Sequence, residues 1–487
     1  MKKLLSIILS LCLLLSFAAA EEAPAAKETA EMTAEELYET GKEAFGAGDY
    51  EKARELYEQA HEKGNADALM SLGYLYQMGL GVEQSYEKAL EYYRKAADQG
   101  SVKALNNLGV LYQNGFGVEQ SYEKALEYWQ QAADQGLPEA QFGLGWLCKN
   151  GLGVEQSDEK AAEYYRLAAD QGLAIAQFYL GCHYENGLGV EQSYEKAAEY
   201  YRLAADQGLA AAQNNLGVLY EHGWGVEQSY EKALEYYQQA ADQGEMYGLN
   251  NLGWMYQNGW GVEQSYEKAA EYYQLSVDLG CTLAMCNLGL LYEDGLGGEQ
   301  SYEKAAEYYR LAADQGMPEA QYAMGWLCEN GLGVEQSYEK AAEYYQQAAD
   351  QGDTTAMVNL GVLYDDGTGV EQSYEKAMEL YRQAADLGNP LGLNNIGALY
   401  EDGHGVEQDY GKAMEYYRQA ADQGCGYGLV SIGQMYEKGL GVEQSLEKAL
   451  EYYLQAKDKG EPGADKELDR LVKEGKITED YKTAPAK

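Results

Sequence analysis

The chain has 487 residues, 80 of them acidic and 36 basic, for a net charge of −44. A field of that sign repels nucleic acid and anionic lipid, which argues against both as partners and favours basic ones. Length alone would allow several globular domains, but a strict internal period removes the need for separate cores.

In chain order, the first element is the stretch from Met1 to Ala20. Lys2 and Lys3 form a basic start, Leu4 to Phe17 is a short apolar run, and Ala18-Ala19-Ala20 fits a small-residue cleavage site. The pattern predicts a signal peptide over 1–20, removed on export to the periplasm or the medium, because the run is short for a spanning helix. Cleavage would leave 34 basic against 80 acidic side chains, a net charge of −46. No other stretch is long and apolar enough to span, so no membrane span is expected in the mature chain. Residues 21–32, rich in Ala and Glu with Pro24, are expected to be a disordered leader.

Residues 65–460 repeat every 36 residues, eleven times and without insertion. The segment Gly81-Val82-Glu83-Gln84 returns at each step to Gly441, broken only where Gly298 replaces valine. A period of this length denotes stacked units, each burying its apolar face on the next.

In the unit 65–100, Ala68, Leu69, Leu72, Gly73, Leu75 and Tyr76 make a helical stripe. Gly79 and Gly81 stop that helix. Ser85 is a good N-cap, and Glu87 falls in the first turn of a second helix that runs from Tyr86 to about Asp98. Gly73 and Ala89 recur in every unit, which predicts a close approach with small residue facing small. Residues 461–477 predict a polar-faced helix whose Leu468, Leu471 and Val472 cap the array, and 478–487 a disordered tail.

The pattern Leu72-Gly73-x-x-Tyr76, Gly79-x-Gly81-Val82, Lys88-Ala89, Tyr93 and Ala96-Ala97 resembles the Sel-one-like repeat, a relative of the tetratricopeptide repeat with a longer inter-helix loop. Residues 33–64 resemble one ordinary tetratricopeptide unit, with Gly41, Ala53, Tyr57 and Ala60 at that motif's spacing. The resemblance implies an all-α fold, a right-handed superhelical solenoid of antiparallel helix pairs with first helices on its concave side.

Comparing the repeats with one another separates framework from variation. Loops and second helices are nearly copied, whereas first-helix positions equivalent to 70 and 74 vary. These are four apart and share a face. The resulting candidate partner-binding residues are Tyr74, Asn106, Phe142, Trp146, Phe178, Asn214, Asn250, Trp254, Tyr322, Trp326 and Asn394. Rings supply contact area, and asparagine amides can pair with a peptide backbone. Acidic residues equivalent to 77, such as Glu185, Glu221 and Glu293, would rim the face and select basic partners.

No catalytic constellation emerges, and no cofactor or metal site is expected. His61, His183, His222 and His404 do not recur in register and read as surface or loop residues. Gly-x-Gly lies between helices with no preceding strand, so it is a turn and not a nucleotide loop. Six cysteines outside the signal, Cys148, Cys182, Cys281, Cys286, Cys328 and Cys425, lack framework spacing; Cys148 and Cys328 replace a packed tyrosine.

The family resemblance implies a non-enzymatic adaptor that binds protein or peptide through a concave groove. Two alternatives remain. One is a purely structural acidic spacer of the envelope. The other is β-lactam binding or hydrolysis, linked to a secreted branch of the family with a regular cysteine pair in each unit, which this chain lacks.

Overall fold

The computed structural model describes residues 31–478, so the expected signal peptide, the leader up to residue 30 and the tail from residue 479 lie outside the described residues. Those described form 25 helices and no strand. They divide into two compact units, one reaching Gly248 and one beginning at Leu249. Within each unit the chain runs as consecutive antiparallel helix pairs, and each helix packs on its sequence neighbours.

The pair Asp67–Met78 and Tyr86–Asp98 illustrates the local physics in the first unit. Gly79 closes the first helix in the left-handed region at φ 70°. Gly81, at φ 65°, has a second reason to be glycine: a Cβ there would meet the Tyr50 carbonyl carbon of the preceding pair at 2.6 Å. The loop is therefore pinned to the pair before it. Gln84 Nε2 donates to the Gln77 carbonyl at 2.8 Å, satisfying a helix-end acceptor. Ser85 Oγ then accepts from the Lys88 amide at 3.3 Å and starts the second helix.

The expected close approach of glycine and alanine is present, as at Gly217, where a Cβ would lie 3.3 Å from the Ala233 carbonyl oxygen, but a tyrosine ring lies closer still. A Cβ on Gly73 would lie 2.5 Å from Tyr93 Cε1. The glycine faces the flat of a large ring, and the same holds at Gly217 with Tyr237 and Gly325 with Tyr345. Removing the Cβ lets a fully buried tyrosine lie across the first helix, and burying such a ring contributes about 2–3 kcal/mol. That outweighs the cost of a helical glycine, about 1 kcal/mol.

The second unit is built by the same rules. Its core joins Ala320, Met324, Leu327, Tyr345, Leu360, Leu363 and Tyr381 across successive pairs. Its last described helix, Pro462–Lys473, lays Ala464, Leu468 and Leu471 against the preceding pair, while Arg470 reaches Glu437 at 2.6 Å.

One histidine departs from the surface reading. His183 is 0% exposed, because it occupies the core position held by Leu75, Leu111, Leu147 and Leu219 in other pairs. Its Nδ1–H donates to the Leu188 carbonyl at 2.8 Å, and its Nε2 is buried without a partner. Burial holds the imidazole below the usual histidine range.

Candidate functional site on the first helices

The two columns of variable residues separate once the helices are stacked. Positions equivalent to 70 point toward the next first helix, where residues 37 further along receive them. In the second unit Asn287 Nδ2 donates to Asn250 Oδ1 at 3.0 Å, and Ser431 Oγ donates to Asn394 Oδ1 at 3.2 Å. In the first unit Asn107 Nδ2 approaches Met70 Sδ at 3.8 Å. These side chains knit one repeat to the next.

Asn106, Asn214 and Asn250 are accordingly buried, and Asn394 is half-buried. Phe142, 2% exposed, is held between the rings of Tyr165 and Tyr179 at 5.5 and 5.3 Å. Phe178 and Tyr322 are half-buried, against Tyr201 at 5.8 Å and Tyr345 at 5.9 Å respectively. An extended peptide cannot reach Phe142 or the buried asparagines without displacing neighbours.

The column equivalent to 74 is more open, although Gln434 Nε2 donates to Glu467 of the following helix at 2.9 Å. In the first unit it holds Tyr74, Val110, Trp146, Cys182 and Val218, all half-buried. In the second it holds Trp254 and Trp326, half-buried, with Leu290 and Val362 at 41% and 37% exposed. Asn150, Asn258 and Asn330, one turn on, donate back to the carbonyls of Trp146, Trp254 and Trp326 at 2.7–2.8 Å. Those amides are thereby occupied, and the rings remain available.

The acidic positions equivalent to 77 have a framework task. Tyr237 donates to Glu221 at 2.6 Å, Tyr309 to Glu293 at 2.7 Å and Tyr417 to Glu401 at 2.7 Å. Burial, reinforced by the adjacent carboxylate, pushes these phenols well above the usual tyrosine range, so they stay protonated donors. Each carboxylate thus anchors a buried ring while its half-exposed side still faces solvent.

Sequence reasoning missed one contributor to the face. Leu283 lies seven residues before Leu290 on the same helix and is 45% exposed. Its equivalents include Asp67, Lys103, Glu139, Ile175, Tyr247 and Glu319, so the variation of that column between polar and apolar residues was the available signal. Among the described residues no group of three His, Cys, Asp or Glu side chains is placed to hold a metal ion, and no helix is long and apolar enough to cross a membrane. All six described cysteines are free thiols.

Comparison with known proteins follows from this architecture. The sequence model of the Sel1 repeat matches twelve times between residues 29 and 461. Its first match, 29–65, takes in the pair that resembles an ordinary tetratricopeptide unit. The crystal structure of a protective antigen present in uropathogenic Escherichia coli strains, displaying an SLR fold, is 35% identical with a TM-score of 0.68; the match covers 88% of this chain and 92% of that one. A Sel1 repeat protein from Oxalobacter formigenes is 32% identical with a TM-score of 0.45, covering 49% of this chain and 96% of that one. A comparison with curated proteins gave no match. With tandem matches along most of its length and glycine-punctuated helix pairs to account for them, the chain belongs to the Sel1 repeat family.

Proposed function

We propose that this protein is an exported, non-catalytic scaffold that holds a protein or peptide partner on the exposed column of its first helices. The observation that carries the reading is the recurrence of partly exposed rings and aliphatic side chains at one helix position, Trp146 in the first unit and Trp254, Leu290, Trp326 and Val362 in the second. Surface apolar residues in register on a rigid framework suit recognition better than packing. The framework beneath them spends its own polar groups internally, through the tyrosine–carboxylate and asparagine contacts. The candidate set accordingly narrows to Tyr74, Trp146, Trp254 and Trp326, with Phe178, Tyr322 and Asn394 at its edge. Phe142, Asn106, Asn214 and Asn250 act behind it.

The excess of acidic side chains supports a basic partner, steered by charge and held by the rings. Export is supported by the basic start, apolar run and alanine triplet of the first twenty residues. The similar antigen from uropathogenic strains is in keeping with an exposed location.

The test is retention of proteins from the producing cell's envelope and medium on the mature chain, beside a Trp146→Ala, Trp254→Ala, Trp326→Ala variant of unchanged helicity. A protein retained by the first and lost by the second supports the reading. Retention by both assigns binding to another surface, and retention by neither favours the acidic spacer.

A further inference from the structure

Most repeats carry a tyrosine stack that recurs almost without change. The tyrosine equivalent to 76 lies flat on a tyrosine of the second helix: Tyr112 on Tyr128 at 5.5 Å and 15° in the first unit, Tyr292 on Tyr308 at 5.7 Å and 1° in the second. A lysine ammonium sits over the first ring, Lys124 at 5.0 Å from Tyr112 and Lys304 at 4.7 Å from Tyr292. In the first unit an arginine of the preceding second helix completes the arrangement, with Arg94 donating to the Tyr112 hydroxyl at 2.6 Å and Arg202 to Tyr220 at 2.9 Å. Stacking, a cation over the face and a charged donor to the oxygen are three independent ways to recognise a phenol.

At residue 328 the tyrosine is a cysteine, yet the three groups that would hold its ring remain. Arg310, Lys340 and Tyr344 line a cavity of about 570 Å³, together with Met324, Val334 and Gln347. Cys328, at 3% exposure, and Met324 lie on its buried side, whereas Arg310, Lys340 and Gln347 at its mouth are exposed.

We propose that this recess binds a free, neutral phenol of the p-cresol kind, in the place and orientation that a tyrosine ring takes in the other repeats. The hydroxyl faces Arg310 at the mouth, the ring lies on Tyr344 beneath Lys340, and the para substituent meets Cys328. Two features narrow the class. A tyrosine side chain of a partner is tethered at the end that Cys328 and Met324 close, so it cannot enter in this orientation. Asp314, Glu335 and Glu343 also line the site and disfavour an aryl carboxylate. The sister position offers a natural contrast: Cys148 likewise replaces tyrosine, but the preceding helix presents Gln130, whose Oε1 already accepts from Tyr164 at 3.3 Å. The site is separate from the first-helix face and stands or falls independently of the partner-binding reading.

Isothermal titration of the mature chain with p-cresol tests this, with toluene and N-acetyltyrosinamide as companion probes. The expected result is saturable binding of p-cresol with one site, weaker binding of toluene and none of N-acetyltyrosinamide. Cys328→Tyr, whose own ring takes the place assigned to p-cresol, abolishes binding while helicity stays unchanged. Arg310→Gln keeps the fold and weakens p-cresol about tenfold, bringing it level with toluene. Absence of p-cresol binding to the unaltered chain at millimolar concentration overturns the proposal. So does undiminished binding to Cys328→Tyr, or N-acetyltyrosinamide binding as tightly as p-cresol.

Discussion

The first and second helices of a repeat obey different rules. On second helices and loops the same solution is copied from pair to pair: a serine cap, a lysine over a stacked tyrosine, and a glutamine tying the loop to the helix end. On first helices the framework residues are equally constant, but the column equivalent to 74 changes at almost every step. The copied half is under one demand, to stack on its neighbour. The variable half is released from that demand wherever no neighbour covers it. Where a framework residue of a first helix lapses, as at Cys328, a recess lies beside it.

The sharpest way to break this division is at the glycine that both halves share. At Gly217 a Cβ would stand 2.7 Å from Tyr237 Cε1, so Gly217→Val drives its methyl groups into the ring and should cost about 3 kcal/mol in urea unfolding. Tyr237→Phe keeps the ring but removes the donor to Glu221, for an expected loss of about 1.5 kcal/mol by the same measurement. Cys328→Tyr should act in the other direction and raise stability by about 1 kcal/mol, by restoring the stack and the arginine contact. The least costly change is Lys232→Ala on the second helix, where loss of the cation over Tyr220 should lower stability by about 0.5 kcal/mol.

His183 gives a pH dependence confined to the first unit. Its folded state favours the neutral ring, since burial lowers its pKa below the ordinary 6.5. The unfolded chain therefore takes up the proton first as pH falls. The contribution is fully present above pH 6.5 and is lost as pH drops below it. His183→Leu, which restores the residue found in sister repeats, should flatten the decline of thermal stability between neutral and mildly acid pH. An unchanged slope would show that the imidazole is not buried as described.

Much of the fold was legible because glycine punctuates it. Gly79, Gly81 and Gly100 mark the ends of helices, and the same spacing eleven times over leaves little freedom in the reading. The alanine beside the recurring glycine was legible, as at Gly217 and Ala233, but not that a tyrosine ring lies closer, since sequence spacing does not say which of two neighbours on the facing helix approaches first. The face was only half readable. Positions 70 and 74 share a side of one helix, but the first is the more closely covered by the next helix, and that cover comes from a residue 37 positions away. The signal was present in pairs at that spacing, Asn250 with Asn287 and Phe142 with Tyr179, where like accompanies like. Burial of His183 was hidden because a polar residue at a core position looks no different from a surface residue until its register is compared with Leu147 and Leu219.

The most direct test of the division between faces is site-specific photo-crosslinking. A benzophenone side chain is placed at Trp326 on the exposed first-helix column and, in a second protein, at Leu311, exposed on a second helix. Both are irradiated in an extract of the producing cell's envelope and medium. A discrete adduct from position 326, absent from position 311, is the predicted result. Adducts from 311 and none from 326 would contradict the assignment of partner binding to the first helices.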